Sequence, residues 1–262
     1  MSWVGWFQPI FLFLAFISIF PWIVILKSYF DRQGYASVLL TIAIYVIVAY
    51  VLQIAFHILG WGHIFYVPVI WITGILGWWF IRKQKVSICL SVDGFFQSLP
   101  SNALPPLFIT VFVLSRVMVL PPLGWDFLTY HGVKAALWAK GHKIFFHYDA
   151  PGAWEYYKTF LGGAEVYFAW AMLATHSELL IGVMDWIHWV LLTLILYQIS
   201  LKIDTRKDLS IILTIFIVTA ETPLKYVGAG YTDIPGIGFL LAGVLFYIIK
   251  KGRTFSPFTF YR

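Results

Sequence analysis

The sequence predicts an all-α polytopic membrane protein of about seven transmembrane helices, with external juxtamembrane amphipathic helices among them. Three observations carry that prediction. Of 262 residues, 61% are hydrophobic and only 11% are Asp, Glu, Lys or Arg, against roughly 45–50% and 25% in a soluble domain. A soluble domain of this size could not hide so large an apolar excess, because its surface needs charge. Apolar runs recur at the length a bilayer demands, about 17–25 helical residues. Basic residues gather in four short clusters between those runs. The same composition excludes disorder, which needs low hydrophobicity and high net charge. Cys89 stands alone, which excludes a disulfide framework and a multi-thiolate metal site. The net charge of +6 includes no basic block of the length that nucleic acid binding requires.

Taken in chain order, the expected spans are Trp6–Leu26, Tyr35–Leu59, Ile64–Ile81, Leu104–Leu120, Leu179–Ser200, Leu209–Thr222 and Ile234–Ile249. The first has neither a basic n-region nor a small-residue cleavage motif, so it reads as a helix rather than a removed signal. The basic clusters lie at Lys27/Arg32, Arg82-Lys83-Gln84-Lys85, Lys202–Lys207 and Lys250-Lys251-Gly252-Arg253. With these seven spans all four fall on one face, which the positive-inside rule makes cytoplasmic. An eighth apolar run, Leu161–Thr175, would move the last two clusters outside if it crossed. It is therefore expected as a juxtamembrane helix lying on the outer face. Pro121–Leu180 is left as one large external segment, with Asp126, Asp149, Glu155, Glu165 and Glu178 nearly balanced by Lys134, Lys140, Lys143 and Lys158.

Within that segment, Pro121-Pro122-Leu123-Gly124 ends the preceding helix. Trp125-Asp126-Phe127-Leu128-Thr129-Tyr130-His131 then starts an amphipathic helix running to about Lys140, with Asp126, Thr129, Tyr130 and Lys134 on one face. An Asp in a first turn also serves simply to cap exposed amides. Further on, Glu165 and His176 fall on one stripe of a helix that starts at Gly162-Gly163-Ala164. Trp154, Tyr156, Tyr157, Tyr167 and Trp170 suit a membrane–water interface, with Glu165 solvated beside them. In the next span Asp185 and His188 share a face at i, i+3, either as a mutual structural pair or as chemistry, since ionisable groups at membrane depth are costly. Tyr231-Thr232-Asp233-Ile234-Pro235 opens the last span, with Asp233 at the N-cap and Pro just inside. Arg116, near the outer end of its span, either snorkels or meets a lipid phosphate. His142 and His147, with Asp126 and His131 nearby, form a zinc-compatible set at a spacing that matches no known signature.

The order of these features carries more than any one of them. A span is followed by Trp125-Asp126 with Tyr130-His131 just after, an outer loop, and a Gly-Gly-Ala-Glu helix at 162–165. A span with His188 near its start, a basic turn, another span and Tyr231-x-Asp233-x-Pro235 complete it. This layout resembles the N-terminal half of the GT-C glycosyltransferases, the polytopic family that includes the dolichyl-phosphate-mannose protein mannosyltransferases and the bacterial aminoarabinose transferases. The resemblance covers about Leu104–Lys251. It divides the chain into N-terminal transmembrane helices outside the resemblance, 1–103, and a GT-C-like core, 104–262, with an external loop at 121–180. Family members continue with further helices and often a soluble domain, so the chain is expected to be incomplete at its C-terminus.

The resemblance implies inverting transfer of a sugar from a polyprenyl-phosphate-linked donor to an acceptor glycan, lipid or protein. The active site would lie on the external face of a plasma or inner membrane. Asp126 matches the family's acidic residue at the start of a juxtamembrane helix, which acts as general base or metal ligand. Glu165 and Asp233 match polar or acidic positions that shape the acceptor or hold a divalent cation, Mg2+ or Mn2+. Trp125, Tyr130 and His131 are then substrate-binding, as is His188. Arg116 and Lys225 are the expected partners of the donor phosphate. Two non-enzymatic alternatives stay open, a transporter or channel and a scaffolding membrane subunit. The gathering of acids on one external face favours a surface cavity over a through-path.

Overall fold

The computed structural model describes residues 66–84, 104–144, 162–178, 180–203 and 206–254, together with 10, 14, 17–22, 24–25, 52, 55–60 and 62–63. Among the described residues all regular structure is helical. Most of the expected spans Trp6–Leu26 and Tyr35–Leu59 lies outside the described residues, as do Lys27, Arg32, Lys85, His147, Asp149, Trp154, Glu155, Tyr156, Tyr157 and Lys158.

Helix α1, Val67–Lys83, starts on a first-turn proline and ends on Arg82 and Lys83, which complement the carbonyl end of the helix. Gly74 and Gly77 let another helical segment approach closely: a Cβ at Gly74 would lie 2.6 Å from Ser18 Cα, and one at Gly77 2.9 Å from the Pro21 ring. Helix α2, Leu104–Val119, also has prolines in its first turn and stops before Pro121-Pro122. A turn of π-helix, Phe127–His131, leads into α3, Gly132–Gly141. Its wide hydrogen bond joins the Gly132 amide to the Phe127 carbonyl, and the absent side chain of Gly132 seats the Phe127 ring.

Helix α4, Glu165–Thr175, overturns the expectation that Tyr167 and Trp170 stand in an interfacial belt. Instead Val166 through Leu173 are all buried, with Trp170 only 1% exposed. The helix is apolar all round, and such a helix gains most by being covered on every side. It packs against α3 and against α5, Ile181–Lys202, within a core that includes Phe127, Trp138 and Met184.

Helix α5 is the axis of the fold. It packs against α2, α4, α6 (Lys207–Val218) and α8 (Asp233–Thr254). Two of its indoles fix this arrangement: Trp186 Nε1 donates to the Thr110 carbonyl at 3.0 Å, and Trp189 Nε1 to the Val218 carbonyl at 3.1 Å. At 22 residues, α5 is the one helix among the described residues long and apolar enough to cross a bilayer; Leu104–Val119 and Asp233–Ile248 are shorter apolar helices.

The expected span Leu209–Thr222 is also corrected. α6 ends at Val218, Ala220 is extended, and a separate short helix, α7 (Glu221–Tyr226), follows. Pro223 supplies the reason. In a continuous helix its ring would clash with the Thr219 carbonyl, whereas in the first turn of α7 its missing N–H costs nothing.

Helices α2, α6 and α8 each turn a row of large apolar side chains outward. On α2 these include Leu104, Phe108, Val111 and Phe112; on α6, Leu209, Ile212 and Phe216; on α8, Ile237, Leu240, Val244 and Tyr247. The spacing is that of one helical face.

Candidate functional site

At the end of the bundle where α2 stops and α5 and α8 begin, the chain brings together His131, Lys134 and Glu165, with Tyr130 and Thr232 beside them. The inner part is sealed. His131 Nδ1 lies 2.9 Å from Glu165 Oε1, with both side chains almost wholly buried. A carboxylate oxygen accepts, so Nδ1–H donates to it, and Nε2 faces Thr232 Oγ1 at 3.4 Å. Lys134 Nζ approaches the same Glu165 oxygen at 3.9 Å and stands 5.2 Å from the centre of the Trp138 ring. Burial lowers the pKa of this ammonium, and the charge of Glu165 partly restores it. Gly162, at φ +72°, lets the chain pass this close: a Cβ there would lie 3.2 Å from Lys134 Nζ.

The outer part is a rim. Tyr130 lies against the His131 ring, with centroids 4.1 Å apart, and its hydroxyl donates to the Asp126 carboxylate. Burial, then the charge and hydrogen bond of Asp126, then the charges of Glu165 and Asp233, push the phenol up to about 12. The charges of all three expected acids therefore act on one phenol, although they come from three separate parts of the chain. Trp125, 66% exposed, flanks Asp126. Asp233 lies exposed in the first turn of α8.

Several expectations are revised. Asp126 makes no side-chain cap hydrogen bond; its carboxylate serves Tyr130. Asp233 is not at the N-cap: the Gly236 amide bonds to the Thr232 carbonyl at 3.2 Å, which puts Thr232 there. Glu165 is not solvated beside an aromatic belt but is 2% exposed. Asp185 and His188 do not pair. His188 Nδ1 bonds the Met184 carbonyl at 2.8 Å, and its ring meets Tyr167 and Phe239 edge-on in the core. Asp185 Oδ2 instead accepts the Gly230 amide at 2.8 Å.

Arg116 Nη1 donates to the Leu224 carbonyl at 2.7 Å, which ties α2 to α7 and puts Arg116 at the same exposed corner as Lys225. The described contacts join neither this corner nor His188 to the acidic cluster. His142 stacks on Tyr66 with centroids 4.2 Å apart. Among the described residues no group of three His, Cys, Asp or Glu is gathered closely enough to hold a metal ion.

Sequence reasoning put Lys134 on the face of Asp126 but gave it no role, and it gave none to Thr232 or to Asp185's contact with the 228–230 turn. A lysine eight residues after Asp126, on the buried side of the same helix, was the one signal available. Compared with known proteins, the chain matches no family model, no curated protein and no solved structure.

Proposed function

We propose that the protein is a polytopic membrane glycosyltransferase of the GT-C type, which transfers a sugar from a polyprenyl-phosphate donor to an acceptor on the external face. The observation that carries this reading is a chain of contacts at one end of the helix bundle: Tyr130, one turn from Asp126, lies on His131, which bonds Glu165 through Nδ1 and faces Thr232, next to Asp233, through Nε2. The outward apolar faces of α2, α6 and α8 support a lipid environment, since a water-soluble chain rarely presents several such faces at once. The basic residues at Arg82–Lys83 and at Lys202, Arg206 and Lys207 suit a cytoplasmic face at the other end.

Transfer needs the acceptor hydroxyl or amine to lose its proton as it attacks the anomeric carbon. The bond from that carbon to phosphate oxygen breaks, and polyprenyl phosphate leaves with the electron pair. Asp126 is the general base. Tyr130 donates to its carboxylate, which orients the side chain and leaves acceptor capacity for the incoming proton. Glu165 acts through His131, holding the imidazole so that Nε2 faces the mouth of α8. Asp233 borders the acceptor. Trp125 presents an exposed ring on which a sugar face stacks. Arg116 and Lys225 form the cationic corner for the departing phosphate.

The test is retention of fluorescent polyprenyl-phosphate mannose, glucose and aminoarabinose by the full chain in nanodiscs, followed by transfer to a mixed acceptor pool. Binding of at least one donor, with transfer lost in Asp126→Asn, is expected. No binding of any donor, combined with electrogenic flux in liposomes, would replace this reading with a transporter.

A further inference from the structure

Asp185 is 1% exposed, lies near the start of α5 and takes no part in the His131–Glu165 set. A buried carboxylate in an apolar helix is expensive to retain. Its hydrogen bond runs not to its own helix but 45 residues on, to the Gly230 amide at 2.8 Å, and the Gly228 amide also faces it.

The turn it grips is fixed on two other sides. Gly228 and Gly230 adopt φ +82° and +79°, which other residues rarely do. A Cβ on Gly228 would lie 2.6 Å from Val117 Cγ1 of α2, and one on Gly230 would run into the Phe127 ring. The Ala229 carbonyl accepts the Gly124 amide at 3.0 Å. Gly124 and Phe127 bracket Asp126, and the turn itself leads directly into Tyr231, Thr232 and Asp233. One short turn therefore seats both halves of the rim and presents Thr232 Oγ1 to His131 Nε2.

We infer that Asp185 is a positioning residue: by holding the 228–230 turn through the Gly230 amide, it sets the register of Asp233 and Thr232 against Asp126 and His131. This deepens the glycosyltransferase reading and rests on it only where activity is measured. The acceptor oxygen is the essential part, because the bond to the Gly230 N–H requires an acceptor and not a charge.

The experiment compares Asp185→Asn, which keeps an acceptor oxygen, with Asp185→Leu, which keeps the volume without one, in the full chain in nanodiscs. Hydrogen exchange is followed over peptides spanning 227–236 and 124–132. The Leu variant should exchange about tenfold faster in both, as loss of one buried hydrogen bond implies, while the Asn variant follows the wild type. In a transfer assay the Leu variant should lose about 100-fold in kcat with donor KM unchanged, the penalty of a small misplacement, and Asn should restore it. If Leu does not assemble, Asp185→Glu, which moves the carboxylate outward by one methylene, should show the same exchange increase. Unchanged exchange in the Leu or Glu variant overturns the inference, and so does an Asn variant as impaired as Leu. Exchange that responds as expected in a chain that transfers no sugar upholds the positioning role and rejects the glycosyltransferase reading.

Discussion

His131, Lys134 and Glu165 are closed off from solvent, whereas Trp125, Asp126, Tyr130 and Asp233 stand at or near the surface. Both groups hold carboxylates, yet the physics of each differs. In the inner group each charge has a fixed partner, because an unpaired ion there would cost several kcal/mol. In the outer group water shares the burden, so the carboxylates remain available to a ligand and contribute little to folding. The inner group is thus built as a scaffold, while the rim is the surface on which the proposed transfer would take place. A residue's role follows from which side of His131 it occupies more than from whether it is acidic.

The division between the two groups is open to direct measurement. The largest effect is expected from the proposed role of Asp126: as a general base its replacement, Asp126→Asn, should lower transfer by about 10²–10⁴-fold. Its unfolding midpoint should stay at the wild-type value; a parallel loss of stability would move Asp126 into the scaffold. Next comes Glu165→Leu, which strips the carboxylate from buried Lys134 and His131 and should destabilise the chain by roughly 3–5 kcal/mol. Thermal unfolding in detergent reads it, and adding Lys134→Met should recover part of the loss. A Glu165→Leu chain as stable as wild type would place Glu165 with the rim.

Tyr130 gives a pH signature. Its phenol titrates near 10 when unfolded and near 12 when folded. Below pH 10 both states are protonated and the folded chain keeps the full benefit. Between about 10 and 12 only the unfolded state sheds the proton, so stability falls with rising pH. Tyr130→Phe should flatten that interval in a pH series of unfolding curves. The smallest effect is expected from Asp233→Asn, which removes a negative charge from the first turn of α8 and should cost about 0.3–1 kcal/mol. A larger loss would show that Asp233 carries structural weight that its exposure does not suggest.

Local spacing shows more of the rim than of the scaffold. Asp126 and Tyr130 are one helical turn apart, so their contact follows from local geometry alone. Asp233 and Glu165 come into the reading through family layout, yet nothing local tells that Glu165 bonds His131 or that Thr232, beside Asp233, faces the same ring. Trp170 and Tyr167 read as interfacial because composition cannot distinguish a helix lying on a surface from one enclosed by neighbours. The break between α6 and α7 was legible in Pro223 but was outweighed by the apolar run around it.

The sequence by itself determined the helical class, the apolar runs and their stops, since periodicity, proline and glycine act over one or two turns. It also determined where charge is scarce enough to matter. Only the tertiary structure decided that α4 is core, that His131 points to Glu165, and that Asp185 reaches across 45 residues to Gly230 instead of three to His188. The physical reason is the same in each case. A buried polar group takes whichever partner the packing of distant helices brings within about 3 Å, and sequence spacing within one helix does not record that choice.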